Sequence, residues 1–374
     1  MIKKTLFALS GILCLPVANT HAALPHYTVA SGEGVPSADV GTVTRLIVTS
    51  AALDDEMTVD VWLPAGYDGN NTSRRYPVIY AHDGQNLFDA ALSFASVAWE
   101  LDRTATALAS QGVISVPIIV GINNRGSMRA NDYFPEKAAA YIPEEDVSST
   151  LIWDTCSEGF YGDEHAAFVA TELKPLIDSL YNTSADRTHT FALGSSMGAL
   201  ASLYLVCEYP EIFGGAACMS THWRGSFSMN PDYTLVPDPV CSHALLGYLD
   251  GMIPDHTTTR LYLDQGTTGW DADYLTYEEM ARETVRRHGY SETDGSLMTY
   301  DATGAGHNEW YWQQRADRPL RFLLQGLSSD TDDVTAEADD RQYPLYDLQG
   351  RRVTTPPLPG IYIRNGVKIM IPPR

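Results

Sequence analysis

The segment Thr190–Leu200 reads T-F-A-L-G-S-S-M-G-A-L. It contains the pattern G-x-S-x-G, with Gly194 and Gly198 two residues before and after Ser196. A nucleophilic serine on a sharp strand-to-helix turn has this pattern, because residues without a Cβ let the strand and the helix pass closely. Ser195 lacks a glycine two residues after it, so the pattern assigns the nucleophile to Ser196. A simple glycine-rich turn is the alternative interpretation.

Apolar runs typical of buried strands alternate with helical patterns on both sides of this motif. The predicted strands are 43–50, 57–63, 76–81, 116–121, 188–194, 212–219, 260–264 and 297–300, and the predicted helices are 98–108, 164–181, 198–209, 274–288 and 309–324. Pro175 predicts a kink or a late start in the second helix. The alternation predicts an α/β fold class: a mostly parallel central sheet with helices on both faces. The first two strands are close in sequence and are expected to form an antiparallel edge.

A serine hydroxyl is a weak nucleophile that needs a base. His307 follows a predicted strand and precedes the last helix, within the glycine-containing segment G-A-G-H-N at 304–308. A loop there can carry an imidazole to the serine, so we predict His307 as the base. His288 lies within a predicted helix, where a solvated side chain is the simpler interpretation.

A carboxylate should orient the imidazole. Asp264 ends the predicted strand 260–264, and Asp271 lies beyond the following loop. Either can reach the histidine, and Asp273 is a third candidate. The residues alone leave this choice open, since aspartates also form turns and helix caps.

An oxyanion is stabilised by two backbone N–H groups. Met197 follows the nucleophile and should supply one of them. Gln85, in H-D-G-Q-N at 82–86, should supply the other, because Gly84 permits close approach of the backbone. His82 and Asp83 of the same segment are interpreted as structural.

Four side chains are predicted to contact substrate: Arg129, His222, Trp223 and Trp270. Residues 123–163 form a long irregular segment that is expected to cover the site. Its aromatic residues could stack on a sugar or phenolic ring, although such residues more often pack a loop.

The N-terminus predicts export. Residues 1–22 combine a basic start, a short apolar run and small residues, which is typical of a signal peptide cleaved after Ala22 or Ala23. The net charge of −22 makes nucleic acid a poor partner, because phosphate binding needs clustered Lys and Arg. No later segment has the length and apolarity of a transmembrane helix.

Four cysteines follow the signal: Cys156, Cys207, Cys218 and Cys241. Export permits disulfides, and three complete pairings are possible. A buried free thiol is equally consistent with the apolar surroundings of Cys218. No metal-ligand spacing is present, and the predicted chemistry needs no cofactor.

The composition divides the chain into segments. Residues 23–326 carry the α/β pattern, 327–342 are an acidic linker, and 343–374 hold short β runs separated by turn residues such as Asn365-Gly366. About thirty residues are too few for an independent core, so this tail is expected to dock or to serve as a sorting segment.

Several of these motifs resemble the esterase D-like family of α/β-hydrolases, which includes secreted feruloyl and acetyl-xylan esterases of carbohydrate esterase family one and enterochelin-type esterases. The resemblance rests on 194–203, 208–215 (E-Y-P-E-I-F-G-G), 82–89 (H-D-G-Q-N-L-F-D), 131–135 (N-D-Y-F-P) and 172–177. It implies an α/β-hydrolase fold, and it implies Asp271 as the acid because that residue lies past the Gly-Thr turn. The tail resembles short C-terminal segments of exported Bacteroidetes proteins.

Together these features predict an exported serine carboxylic-ester hydrolase that acts through an acyl-enzyme. Export and the resemblance favour a carbohydrate-linked feruloyl or acetyl ester as the substrate. Cleavage of a siderophore or peptide ester is the alternative reaction. A catalytically silent glycan-binding protein is the alternative from another class.

Overall fold

The computed structural model describes residues 24–327 and the backbone of four short strands beyond them. The predicted signal peptide (1–22) lies outside the described residues, as does all of the predicted linker after Leu327. The sequence-based predictions for these two segments therefore remain predictions.

A nine-stranded sheet forms the centre of the protein. Its strands are β1 (Tyr27–Val29), β2 (Thr42–Ser50), β3 (Asp55–Leu63), β4 (Val78–His82), β5 (Ile118–Ile122), β6 (Thr190–Ser195), β7 (Gly215–Met219), β8 (Arg260–Gly266) and β9 (Leu297–Ala302). They are arranged in the order β1-β2-β3-β5-β4-β6-β7-β8-β9. Strands β4 to β9 are mutually parallel, while β1, β2 and β3 add an antiparallel edge. The predicted α/β fold class and the antiparallel edge are confirmed.

The helices lie between the strands along the chain. They are α1 (Leu101–Ser110), α2 (Arg129–Tyr133), α3 (Ile152–Thr155), α4 (Gly162–Ala167), α5 (Lys174–Leu180), α6 (Met197–Glu208), α7 (Pro239–Met252), α8 (Trp270–Arg287), α9 (Glu309–Gln313) and α10 (Asp317–Leu324). Short 3-10 turns at Gly84–Asn86 and elsewhere complete the connections.

Two hydrophobic clusters cover the two faces of the sheet. Successive side chains of a strand point to opposite faces. Along β4, Ile79 and Ala81 accordingly pack in the cluster that includes α1 and α10, whereas Val78 and Tyr80 pack in the cluster that includes α4 to α8. Helices therefore cover both faces, as the alternating pattern predicted.

The largest difference from the predicted elements is α7, for which we predicted no helix. Its start signal is present in the sequence: the side chain of Asp238 accepts a hydrogen bond from the N–H of Cys241, and Pro239 occupies the first turn. The predicted helix 309–324 is divided into α9 and α10, with Pro319 in the first turn of α10.

The predicted helix 164–181 is continuous but irregular. A π-helical segment, Phe168–Leu173, separates α4 from α5, and Pro175 lies at the start of α5. Proline has no N–H to donate, and its ring clashes with the carbonyl of the preceding turn, so the wider π turn accommodates it. The irregularity at Pro175 is thus a π turn within one continuous helical segment that begins at Gly162, so the helix does not start late.

All four cysteines after the signal are buried free thiols. None of the three complete pairings is present, and the alternative of a free thiol holds for Cys218. Burial raises the pKa of the Cys207 thiol to about 12, so this group stays protonated and unreactive near neutral pH.

Beyond residue 327, the four remaining strands are β10 (Leu345–Tyr346), β11 (Arg352–Val353), β12 (Gly360–Arg364) and β13 (Val367–Ile371). They pair antiparallel in the order β11-β10-β12-β13, with Arg364 opposite Val367. The predicted turn residues Asn365 and Gly366 lie outside the described residues.

Candidate active site

Ser196 occupies the turn between β6 and α6. Its backbone has φ 56° and ψ −126°, a strained conformation for a residue with a side chain. Two hydrogen bonds hold the turn: the Ser196 N–H donates to the carbonyl of Met219 at 3.0 Å, and the Ser196 carbonyl accepts from the N–H of His222 at 3.2 Å. The sharp turn predicted from G-x-S-x-G is present.

The two glycines of the motif are required by contact distances. A Cβ on Gly194 would lie 2.2 Å from the carbonyl oxygen of Gly198. A Cβ on Gly198 would lie 3.1 Å from Asp83 Oδ2 and 3.2 Å from His82 Cβ. The first contact is impossible and the second is tight. The glycines thus let β6 and the loop after β4 approach the start of α6.

His307 connects Ser196 to Asp271. It lies in the loop between β9 and α9, with Nε2 2.8 Å from Ser196 Oγ and Nδ1 2.6 Å from Asp271 Oδ1. Because Asp271 can only accept when ionised, Nδ1–H donates to it and Nε2 is left to accept the serine proton. The three residues predicted from the sequence are therefore brought together in a hydrogen-bonded chain.

Aromatic rings surround the imidazole of His307. Trp312 and Tyr274 meet it edge-on, with ring centroids 5.0 and 5.4 Å away, and Trp270 lies at 5.6 Å. These contacts restrict the orientation of the ring, so the position of Nε2 relative to Ser196 is held by packing as well as by Asp271.

Asp271 lies in the first turn of α8 and is fully buried. Its Oδ2 accepts from Ser220 Oγ and from the N–H of Gly266, each at 2.7 Å. Burial favours the neutral form of this carboxyl, but the hydrogen bonds from His307, Ser220 and Gly266 outweigh it and hold the pKa of Asp271 below its ordinary value. The site therefore contains a buried carboxylate rather than a carboxylic acid.

Asp264, the other carboxylate left open by the sequence, has a different partner. Arg315 donates to both of its oxygens at 3.0 Å, and the Tyr262 hydroxyl donates to Oδ2 at 2.7 Å. Asp273 lies near Arg224, at 3.9 Å. Of the three candidates, Asp271 is the one that hydrogen-bonds to His307.

The two predicted oxyanion donors lie on elements that meet at the nucleophile. Met197 is the first residue of α6, and Gln85 lies in the 3-10 turn after β4. Within the described residues, neither backbone N–H donates to a protein acceptor. The close contact of Gly198 with His82 and Asp83 fixes the turn after β4 against the start of α6.

Arg129 holds this turn in place. Its Nε and Nη2 donate to the two oxygens of Asp83 at 2.7 Å each, and Asn124 Nδ2 donates to Oδ1 at 2.6 Å. Burial would raise the pKa of Asp83, but Arg129 and Asn124 lower it below its ordinary value. Asp83 is structural, as predicted. Arg129 is 26% exposed, and its bonds to Asp83 use Nε and Nη2 only, so the predicted contact of Arg129 with substrate stays a prediction.

His222 and Trp223, which we predicted as substrate contacts, are internal. Nε2 of His222 donates to the Ser226 carbonyl at 3.0 Å, so Nδ1 accepts from the Tyr274 hydroxyl at 2.7 Å. Trp223 Nε1 donates to Glu278 at 2.6 Å. Both residues are buried, and burial lowers the pKa of His222 to about 3. The prediction that they contact substrate is wrong.

Trp270 lies between His307 and the loop after β7. Its ring meets Phe227 edge-on at 5.4 Å, and its Nε1 donates to the carbonyl of Tyr233 at 3.0 Å. Phe227 is 38% exposed and Tyr233 is 77% exposed, so the aromatic surface reaches solvent. Phe227 and Tyr233 were missed in the sequence, because nothing in the irregular segment 224–238 indicates which elements it contacts.

The segment 123–163 is largely held by contacts within the protein. Tyr133 is fully buried, Tyr141 packs edge-on against Tyr248, and Trp153 packs against Phe160. Arg125 forms ion pairs with Asp55 and Asp132. Packing accounts fully for Tyr133, whereas Tyr141 and Trp153 each pack against a neighbour and are still 42% and 40% exposed. Stacking of these two rings on a substrate stays a prediction.

Within residues 24–327 and the four later strands, no three His, Cys, Asp or Glu side chains are grouped to hold a metal ion. None of the helices in the same described part has the length and apolarity needed to cross a membrane.

The fold and this arrangement of serine, histidine and aspartate define the protein as an α/β-hydrolase. The family model described as "Putative esterase" matches residues 50–323. The chain belongs to this esterase family.

Similar proteins include two curated relatives from Bacillus subtilis (strain 168). The chain is 29% identical to the uncharacterized protein YjcH over 185 residues, which are 49% of this chain and 62% of that protein. It is 23% identical to the uncharacterized protein YbbA over 164 residues, which are 44% of this chain and 56% of that protein. The chain thus spans about three fifths of the length of the curated relatives it matches.

Solved structures show the same fold at low sequence identity. A ferulic acid esterase is 19% identical, with a TM-score of 0.54, over 76% of this chain and 98% of that chain. The enterobactin esterase FES from Shigella flexneri is 17% identical, with a TM-score of 0.53, over 77% of this chain and 61% of that chain. An IroE-like serine hydrolase from Shewanella oneidensis is 17% identical, with a TM-score of 0.54, over 75% of this chain and 80% of that chain.

Proposed function

We propose that the protein hydrolyses carboxylic esters through an acyl-enzyme formed on Ser196. The observation that carries this proposal is the continuous chain from Ser196 Oγ through His307 to Asp271. Nε2 of His307 removes the hydroxyl proton while Oγ attacks the ester carbonyl carbon. The resulting oxyanion accepts from the N–H groups of Met197 and Gln85, each worth about 3 kcal/mol in the transition state.

The imidazolium then returns its proton to the leaving alcohol as the ester C–O bond breaks. In the second half-reaction, His307 takes a proton from water, the hydroxide oxygen attacks the acyl carbon, and Ser196 leaves as the protonated hydroxyl. The buried carboxylate of Asp271 stabilises the imidazolium in both steps. His307 accepts and returns the proton in each of these steps.

We further propose a carbohydrate-linked ester with a feruloyl or acetyl group as the substrate. The surface of Trp270 and Phe227 beside His307 supports this, because a planar aromatic side chain can stack on a phenolic ring or on the apolar face of a sugar. The signal-like sequence of residues 1–22 supports export to the periplasm, the cell surface or the medium, where such substrates are found.

Cleavage of a siderophore or peptide ester is the second candidate. The structural similarity to an enterobactin esterase supports this candidate. The same aromatic surface would accept a catechol ring. The glycan-binding alternative is disfavoured by the ordered chain of Ser196, His307 and Asp271, which a binding protein does not need.

A substrate panel tests these proposals. Feruloylated and acetylated oligosaccharides, a cyclic catechol ester and simple p-nitrophenyl esters should be compared by kcat/KM. We expect a feruloylated or acetylated oligosaccharide to exceed the aryl esters, whereas a preference for the catechol ester would support the second candidate. A fluorophosphonate probe should label the protein, and absence of both labelling and turnover would support a silent binding protein.

A further inference from the structure

Ser220 lies at the point where three elements of the site meet. It follows β7, is fully buried, and has a φ of 45°, which is unusual for a residue other than glycine. Its Oγ lies 2.7 Å from Asp271 Oδ2, 3.0 Å from Trp312 Nε1 and 2.8 Å from Arg315 Nη2. The hydroxyl therefore has three partners, which come from α8, from α9 and from the turn before α10.

The direction of each hydrogen bond follows from the chemistry of the partners. An indole N–H and a guanidinium can only donate, so Trp312 and Arg315 occupy the two lone pairs of the Ser220 oxygen. The single hydroxyl proton must then point to Asp271. Ser220 is an obligate donor to the carboxylate, with no freedom to rotate toward another acceptor.

The surrounding contacts keep Ser220 and its donors in place. Arg315 is held by its two hydrogen bonds to Asp264, and the N–H of Ser220 donates to the carbonyl of Asp264 at 2.7 Å. Trp312 packs edge-on against His307. The same side chains that fix the hydroxyl thus contact the residues that it orients.

We infer that Ser220 is a positioning residue for the triad carboxylate. Together with the N–H of Gly266, it saturates Oδ2 of Asp271 and leaves Oδ1 facing His307. Ser220 acts through Asp271 and does not touch the nucleophile or the substrate. The expected effect on kcat rests on the proposed function. The effect of Ser220 on the hydrogen bond between His307 and Asp271 can be tested without that function.

The kinetic test uses Ser220→Ala on a p-nitrophenyl ester. Loss of a hydrogen bond to a buried charged group should lower kcat by about ten- to a hundredfold. KM should stay unchanged, because the side chain lies away from the substrate surface. Ser220→Cys retains a weak donor and should recover part of the loss. Ser242→Ala is the matched control, since Ser242 is a fully buried serine on α7 whose hydroxyl donates to the backbone carbonyl of Asp238.

Ser220→Gly is a second variant that tests the inference if Ser220→Ala does not fold. Glycine suits a positive φ and also lacks the hydroxyl, so it should lose activity as Ser220→Ala does. Equal kcat in the wild type and in folded Ser220→Gly would overturn the inference. A rise in KM with kcat unchanged would overturn it as well, because it would place Ser220 in substrate binding.

Proton NMR provides a readout that does not depend on turnover. An imidazole Nδ1–H bonded to a buried carboxylate gives a far-downfield resonance, which should be present in the wild type and in Ser242→Ala but shifted or lost in Ser220→Ala. If the wild type neither turns over esters nor reacts with fluorophosphonate, the proposed function fails, and this resonance alone decides the inference. An identical resonance in Ser220→Ala would overturn it.

Discussion

Asp271 lies in the first turn of α8, just past the end of β8, and its Oδ1 is 2.6 Å from Nδ1 of His307. Asp264, within β8, is instead bound by Arg315 through both carboxylate oxygens. Two buried carboxylates on neighbouring parts of the chain thus have separate partners, and substitution of each should have a different effect.

Asp271→Asn should reduce kcat without unfolding the protein. An amide in this position no longer stabilises the imidazolium and can favour the wrong tautomer of His307, which lowers kcat by about 10⁴-fold in a serine triad. Steady-state kinetics on an aryl ester and thermal melting of the same sample would check this.

Asp264→Asn is the contrasting variant. It leaves Arg315 buried without its ionic partner, and breaking a buried pair costs about 3–5 kcal/mol of stability. The free energy of unfolding should fall by this amount. A loss of stability in Asp271→Asn with retained turnover would show that the roles of the two aspartates are reversed.

Gly198→Ala should separate activity from stability. Its Cβ would lie 3.1 Å from Asp83 Oδ2, so the turn that carries Gln85 must move by a few tenths of an ångström away from Met197. A displacement of 1 Å in a catalytic site costs about 10²-fold, and we expect kcat to fall about tenfold. Alanine favours a helix over glycine by about 1 kcal/mol, so the melting temperature should not fall much. Unchanged kcat would contradict the proposed place of the oxyanion donors.

Trp270→Ala tests the aromatic surface beside His307. If its ring stacks on a phenolic acyl group, kcat/KM for a feruloyl ester should fall about two- to tenfold more than for the matched acetyl ester, since an aromatic pair contributes about 0.5–1.5 kcal/mol beyond buried area. Comparing two esters of the same alcohol removes any common effect on His307. An equal loss for both esters would contradict acyl-group stacking.

His165 gives the protein a predictable sensitivity to acid. It is buried on α4, neither ring nitrogen has a hydrogen-bond partner within the described residues, and burial lowers its pKa to about 3 from an ordinary value of 6.5. Below pH 6.5 the unfolded chain binds a proton that the folded protein does not, so stability is lost as the pH falls from 6.5 toward 3.

At pH 5 this linkage costs about 2 kcal/mol for one such histidine. Between pH 8 and pH 5, His165→Leu should therefore lose about 2 kcal/mol less stability than the wild type. Urea unfolding at the two pH values measures the difference. An equal loss of unfolding free energy in the two proteins would show that the His165 imidazole is solvated or protonated in the folded state.

The sequence was sufficient for the parts of the site that have a local signature. Ser196 and His307 could be identified because a strand-to-helix turn with paired glycines and a glycine-containing loop before the last helix are visible in consecutive residues. The parallel sheet followed from the alternation of predicted strands and helices, and its antiparallel edge followed from the closeness of the first two strands in sequence. These features can be predicted because each depends on residues that are close together in the sequence.

The remaining parts depend on contacts between distant segments. Asp264 and Asp271 both lie near the end of one strand, so their positions in the sequence do not separate their roles. Arg315, about fifty residues further along the chain, binds Asp264 and leaves Asp271 as the partner of His307. His222 and Trp223 follow the right strand, but Tyr274 and Glu278, one turn apart on α8, hold both of them inside. No local pattern reports such a contact, and for the same reason Ser220 was not predicted as a partner of Asp271.

The central claim is that Ser196, and not its neighbour, is the nucleophile. Ser196→Ala and Ser195→Ala differ by one position, and Ser195 is the last residue of β6. Turnover of a p-nitrophenyl ester and fluorophosphonate labelling should be measured for both. We predict that Ser196→Ala loses labelling and lowers kcat by about 10⁶-fold while remaining folded, and that Ser195→Ala keeps both activities. Substantial turnover by folded Ser196→Ala would contradict the account.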